Sequence, residues 1–451
     1  MSGRRVVSAL AAILVALTGL PSLAHAAPIS VPAADAQART PIRHFVMLMQ
    51  ANHSFDNYFG TYPGVDAIPA GTCLPVDIDH NAPGCVEPFR LGNEPPEVLD
   101  QTPSVQRRQF NGGRMDGFVA AYRRIGRDGT TAMGYYDGAD LPYYWNLADE
   151  YTLFDRFFSS SKSGARRNSL FWVAAVPTPG GTEALPPGGY GDLPTIFDRL
   201  QERGVDWKFY VENLDPAANF RTHSSATVRN PLFGFARFVD DPALAGRVVD
   251  LAQYYRDLDE GTLPAVAYVV TAAGSSEGPP SRPAIGQTLV HTMITALAVS
   301  RYWTRSAFLM TYNGWGGFYD HVAPPQVDEH GYGFRVPALL VSPYARRGFV
   351  DHVPRDYTAA LRFIEDNWGL VPLGTRDAGS AGLTSAFDFA AGPRAPQLVP
   401  LTRYAPPVDD SPARRAVHLS YGGALVLAAA VAWLVGASAR RAGARRAKEA
   451  S

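Results

Sequence analysis

The chain has 451 residues, 46% of them hydrophobic and 18% charged, with a formal net charge of −1. That is ordinary globular composition, long enough for one large domain or two medium ones. The near-neutral balance leaves no electrostatic footprint for nucleic acid, which is excluded as a first reading.

In chain order, the first element is a targeting segment. Arg4 and Arg5 precede an apolar run from Val6 to Leu20, and Ala24-His25-Ala26 closes it. A basic start, an apolar stretch and a small-x-small site predict a secretory signal peptide over residues 1–26. Pro21 breaks the run and argues against a buried first helix. The two cysteines of the chain, Cys73 and Cys85, follow at short range. Export into an oxidising compartment favours a disulfide between them over a metal site completed by Asp77, Asp79 and His80.

Near-continuous apolar runs predict strands over His44–Gln50, Asp206–Glu212, Ala265–Thr271, Ala307–Asn313 and Val336–Ser342. Helices are expected over Pro194–Arg203, Gln287–Arg301 and Asp356–Asn367, with Pro194 at a first helical position. Buried strands separated by helices predict an α/β fold with a mainly parallel sheet. Ligands bind beyond the carboxyl ends of such strands, so the residues following each run are the candidates for a site. Residues 392–415 turn to Pro, Ala, Arg and Asp without periodicity and are expected to form a stalk. Residues 416–439 carry no charged side chain and, at 1.5 Å per residue, reach about 36 Å, enough to cross a bilayer. Tyr421 and Trp433 suit the two interfaces, and Arg440, Arg441, Arg445, Arg446 and Lys448 make residues 440–451 a basic cytoplasmic tail. The expectation is a single-pass protein of a bacterial cell membrane, with its domain outside and its C-terminus inside.

The loops after the strands carry a resemblance. The stretch IRHFVMLMQANHSFDNYFGTYPGVD, the segment Asp140–Ser160, the segment Trp315–Gly348 and LRFIEDNWGL at 361–370 resemble the bacterial phosphoesterase family of phospholipases C and acid phosphatases. The resemblance spans most of a domain placed at residues 41–391. It implies a three-layer α/β/α sandwich, alkaline-phosphatase-like. It also implies phosphoester hydrolysis at a divalent-metal site by a Ser or Thr nucleophile.

Several positions depart from that pattern. The first motif's Glu-Asn pair reads Ala51-Asn52, the nucleophile position reads Ala165, and the paired acids after the fourth strand read Asn313-Gly314. Asn168 is kept, while the His or Arg after it reads Ser169. A methyl group, an amide and a hydrogen replace three carboxylates, so little remains to balance a dication. Alanine cannot form a covalent intermediate. The expectation is therefore a binding domain derived from an enzyme, contacting a phosphate-bearing or phospholipid ligand and the membrane through its C-terminal helix.

The alternative is an active metal-dependent phosphoesterase. It has two routes: Ser163 as a displaced nucleophile, or a metal held by Asn52, Asp320, His321 and His352. Against the second, Asp320 and His321 are expected to bond within their own Gly-rich turn. Lys162, Arg166 and Arg167 either contact phosphate or form a solvated loop. His53 and Asp56 are expected to cap the helix after the first strand, and Tyr58, Phe59, Phe318 and Tyr319 to pack in the core.

Overall fold

Phe45, Val46, Met47, Leu48 and Met49 place large apolar side chains alternately on two faces, which suits a strand buried on both sides. They form the centre of β1 (His44–Gln50), buried from Phe45 onward. The computed structural model describes residues 37–404 apart from 81–82, 163, 182 and 223–225. The expected signal peptide, membrane helix and basic tail, residues 405–415 of the expected stalk, and Ser163 lie outside the described residues.

Eight strands make the main sheet: β1, β2 (Thr152–Phe154), β3 (Trp207–Val211), β4 (Val248–Asp250), β5 (Val266–Val270), β6 (Ser306–Tyr312), β7 (Ala338–Val341) and β8 (Phe349–Asp351). Their order across the sheet is β8-β2-β7-β6-β1-β5-β3-β4. β7 alone runs against its neighbours β6 and β2, and the remaining pairs are parallel.

Helices cover both faces. The helices that matter here are α1 (Phe55–Phe59), α2 (Pro142–Glu150), α3 (Ala165–Ala174), α4 (Ile196–Arg203), α5 (Ala252–Glu260), α6 (Pro283–Val299) and α7 (Thr358–Trp368). On one face Phe45 meets Phe363 of α7 at 5.0 Å, and Tyr268 meets Trp172 of α3 at 4.5 Å and Phe197 of α4 at 4.8 Å. On the other, Tyr210 meets Tyr254 of α5 at 5.7 Å, and the Tyr254 hydroxyl donates to the Met293 carbonyl of α6.

Three helix starts differ from expectation; of these, α7 begins at Thr358, two residues after Asp356, whose carboxylate accepts from Thr358 N–H at 3.1 Å. Thr195 and Asp198 form a reciprocal capping box, so Thr195 is the cap of α4 and Pro194 lies before it. Helix α6 begins at Pro283, ahead of the expected Gln287, because the proline supplies a preset first position. Cys73 and Cys85 form the expected disulfide.

Residues 392–404 are docked rather than extended away. Arg394 donates its N–H to the Pro343 carbonyl and its Nη2 to Ala345 O and Glu150 O. The Asn146 amide of α2 donates to Pro400 O at 2.8 Å and Arg403 O at 2.9 Å, and Tyr404 packs edge-on against Trp145 at 5.2 Å. Among the described residues no helix is long and apolar enough to cross a membrane.

Candidate functional site

Because β5, β1 and β6 are parallel neighbours, their carboxyl ends coincide, with Gln50 level with Tyr312 and Met49 level with Val270. The residues that follow therefore meet. Asn313 donates its N–H to Gln50 O, Asn52 donates its N–H to Asn313 Oδ1 at 3.1 Å, and Ala51 donates its N–H to Ser276 O. Asn52 has φ 65°, a left-handed conformation that asparagine tolerates better than most residues. Gly316 passes so close that an added Cβ would lie 2.1 Å from Asn52 O, whereas a Cβ on Gly314 would meet nothing within 4 Å.

These residues border a narrow cavity of about 20 Å³, lined by Gln50, Ala51, Ser169, Thr271, Asn313 and Arg229 among others. The structure thus brings Ala51, Asn313 and Ser169 together, with Gly314 next in the chain. Ala165 opens α3 one turn before Ser169, whose hydroxyl lies 2.9 Å from Ala165 O and 2.5 Å from Val228 O. Ala165 itself does not line the cavity. Asn168 does not either: its amide accepts from Ser161 N–H at 2.8 Å and fixes the preceding loop.

The basic residues of that loop are held internally. Arg166 Nε donates to Glu183 O at 3.0 Å and its Nη1 to Thr227 Oγ1 at 2.8 Å, while Arg167 lies 3.9 Å from the Glu183 carboxylate. Lys162 sits 4.7 Å above the Phe110 ring and donates to Gln326. Arg229 is the cation that sequence reasoning missed. It ends a single helical turn, Ala226–Arg229, and no motif marks it. Burial pushes its pKa down, and its Nη1 donates to Thr271 O at 2.5 Å.

A second polar cluster lies over α1. Asp56, Asp320 and His321 are close enough to hold a metal ion. Arg335, fully buried, already supplies the positive charge: its Nη2 donates to Asp56 Oδ1 at 2.7 Å and its Nε to Asp320 Oδ1 at 2.9 Å. His321 Nδ1 lies 2.7 Å from Asp56 Oδ2; burial lowers its pKa, but the Asp56 carboxylate outweighs this and the net shift is upward. His352 stands apart at the far edge of the sheet, its Nδ1 2.7 Å from Asp155 Oδ2. Of the four residues weighed as a zinc set, Asp320 and His321 share Arg335, while His352 pairs with Asp155 and Asn52 with Asn313, so the four do not form one ligand set.

The caps are also reassigned. Ser54, not His53 or Asp56, caps α1 by accepting from Asn57 N–H. Tyr58, Phe59, Phe318 and Tyr319 are buried packing residues, as expected.

The phosphoesterase family profile matches residues 42–371, nearly three quarters of the chain. The chain belongs to the phosphoesterase family. Among its relatives in that family, phospholipase C B of Mycobacterium tuberculosis is 29% identical over 422 residues, covering 78% of this chain and 79% of the relative. The non-hemolytic phospholipase C of Burkholderia pseudomallei is 30% identical over 449 residues, covering 81% of this chain and 62% of that protein. A solved protein of the alkaline phosphatase superfamily from Vibrio parahaemolyticus aligns with 13% identity and a TM-score of 0.39, over 74% of this chain and 68% of its own.

The resemblance to this phosphoesterase family implies a divalent ion where Ala51, Asn313 and Gly314 now stand. The donor set does not fit one. No carboxylate lines the cavity, and a guanidinium does. The nearest acids are occupied: Glu212 Oε2 accepts from Ala272 N–H at 2.7 Å and from the Ser275 hydroxyl.

Glu277 lies buried behind Gln50, accepting from the hydroxyls of Tyr58, Tyr144 and Tyr312 and from Gln50 Nε2. Burial pushes its pKa up to about 7 against those hydrogen bonds. Its φ of 66° and the close approach of Gly286, where a Cβ would lie 2.1 Å from Glu277 Cγ, show how tightly this floor is built.

Proposed function

We propose that this phosphoesterase-family protein is a membrane-anchored, extracytoplasmic binding domain, related to the alkaline phosphatase lineage, in which hydrolysis has been lost. One observation carries the reading. The cavity at the ends of β1, β5 and β6 is bordered by Ala51 and Asn313, with Arg229 as its charged group. Phosphoryl transfer of the family's kind needs an activated oxygen nucleophile and charge neutralisation on phosphorus, usually by a metal. Alanine at 165 supplies no nucleophile, and Asn313 and Gly314 supply no charge to a cation. The apolar run at 416–439 and the leader at 1–26 support the placement outside a membrane.

The second reading is an active phospholipase C or acid phosphatase, favoured by the 29% identity to phospholipase C B along 78% of the chain. Assaying the full chain in detergent separates the two. A chromogenic phosphomonoester and a phosphorylcholine ester are offered with Mn, Zn, Ca and Mg in turn. Turnover is expected only in the combined variant Ala51→Glu, Ala165→Ser, Asn313→Asp, Gly314→Asp. Metal-dependent turnover by the unaltered chain, abolished in Ser163→Ala, would overturn the reading.

A further inference from the structure

Because β7 runs against its neighbours, its carboxyl end lies at the opposite end of the sheet from the Ala51 cavity. Val341 is level with Phe308 near the start of β6, and the Ser342 hydroxyl donates to Ser306 O at 2.9 Å. The Arg-rich turn that follows, 343–348, leads into β8 and takes no part in the site described above. It is stitched to the returning segment 386–394 by backbone bonds. Arg346 N–H donates to Ala386 O at 2.9 Å, Asp388 N–H to Tyr344 O at 2.8 Å and Arg394 N–H to Pro343 O at 3.0 Å. Between the two segments lies a cleft of about 350 Å³, lined by Tyr344, Arg346, Arg347, Phe349, Ala391 and Arg394 among others. Small-molecule sites span about 300–1,000 Å³, so the cleft has room for a ligand of modest size.

The backbone acceptors of this cleft are occupied and its side-chain donors are open. Pro343 O and Tyr344 O take the two N–H groups just named, Ala345 O takes Arg394 Nη2 at 2.9 Å, and Arg346 O takes the Thr152 hydroxyl at 3.1 Å. Arg394 Nη2 also donates to Glu150 O, which fixes the side chain, while its Nε and Nη1 have no acceptor among the described residues. The Arg346 guanidinium lies over the Phe349 ring at 3.9 Å and has no acceptor or carboxylate partner among the described residues. Arg347 differs, since its Nη2 is paired with Glu150 Oε1 at 2.6 Å. Asp388 is the carboxylate of the lining, and its Oδ1 accepts from Ala390 N–H at 3.1 Å and Ala391 N–H at 3.2 Å. Three guanidinium charges thus face two carboxylates, which leaves a surplus of one positive charge.

A surplus of one suits a monoanion better than a dianion, and a guanidinium fork offers paired N–H groups to the two oxygens of a carboxylate. The Phe349 ring beneath Arg346 restrains that fork, so less freedom is lost when it binds. Tyr344, Phe349 and Ala391 make much of the remaining lining apolar, and the space exceeds what a carboxylate alone would fill. We propose that this cleft binds a small organic monocarboxylate with an apolar body, its carboxylate held by Arg346 and Arg394 and its body against Tyr344 and Ala391. The site lies at the far end of the sheet from the Ala51 cavity, so it stands whether or not that cavity hydrolyses.

The test is a ligand-observed NMR titration of the full chain in detergent, with the same titration of detergent alone subtracted. Phenylacetate is the probe; phenylacetamide removes its charge and acetate removes its ring. Saturable binding of phenylacetate is expected, at least tenfold tighter than that of either control. Arg346→Gln should weaken it at least tenfold. Ala391→Glu leaves both arginines in place and adds a carboxylate to the cleft, and it should weaken binding as much. Ala391 is exposed, so this second variant should keep the parent's denaturant midpoint. No saturation by phenylacetate, equal binding of phenylacetamide or acetate, or unchanged affinity in either variant overturns the proposal.

Discussion

Two polar regions lie beyond the carboxyl end of the sheet, and they treat charge in opposite ways. Over α1, Asp56 and Asp320 are buried and an internal guanidinium, Arg335, is bonded to both. In the cavity at the ends of β1, β5 and β6, a guanidinium is present and the carboxylates are not. The first region has the acids a metal would use but is closed by its own cation. The second has a cation and no acids, around a space that holds about one water. Carboxylates in proximity do not make a metal site when the neutralising charge is already covalently part of the chain, and a former site need not be inert once its acids are gone.

The comparison can be broken most forcefully at Arg335. Arg335→Met leaves Asp56 and Asp320 buried without the guanidinium that balances them, which should cost about 3–5 kcal/mol of stability, read from the denaturant midpoint. A variant as stable as the parent would mean that the cluster is not a closed ion pair and could take a metal. The next effect is the pH response of the floor beneath the cavity. Glu277 is held protonated in the folded chain up to about 7, against an ordinary value of 4.5. The folded state therefore binds a proton that the unfolded state releases between these values. This contribution to stability is full below pH 4.5 and is lost as pH rises to about 7, on the order of 3 kcal/mol in all. Glu277→Gln should remove that slope; an unchanged slope between pH 5 and 8 would show that the proton sits elsewhere. The smallest effect is expected at His352, whose side chain is 59% exposed beside Asp155. His352→Ala should change stability by no more than about 1 kcal/mol, read from the denaturant midpoint. A larger loss would show that the His352–Asp155 pair is shielded from solvent.

The long central strands were legible because five or more consecutive apolar residues have few alternatives to a buried strand. The short strands β2, β4 and β8 have only three residues each, too short for any period to register. Ala51 and Asn313 were each identifiable, but their meeting depends on β1 and β6 being neighbours, which no local pattern encodes. Arg335 could have been flagged as a charge placed directly before an apolar strand. Arg229 had no such signal, because its role comes from a single helical turn packed over strand ends distant in sequence. His321 and Asp320 were expected to bond within their own turn; Asp320 does accept from Val322 N–H at 3.0 Å, but their main partners, Asp56 and Arg335, lie outside it.

The docked segment 392–404 has a geometric consequence. It starts at Arg394, bonded near the end of β7, which by its reversed direction lies at the amino end of β1 and β6. It finishes at Tyr404 beside Trp145, whose indole donates to Tyr58 O in the helix that follows β1. The chain is thereby led back up the molecule to the end that bears the cavity. Only residues 405–415 then separate it from the apolar run, a span of at most about 40 Å. The anchor proposed at 416–439 would therefore tether the domain by its cavity-bearing end and hold that end within reach of the bilayer.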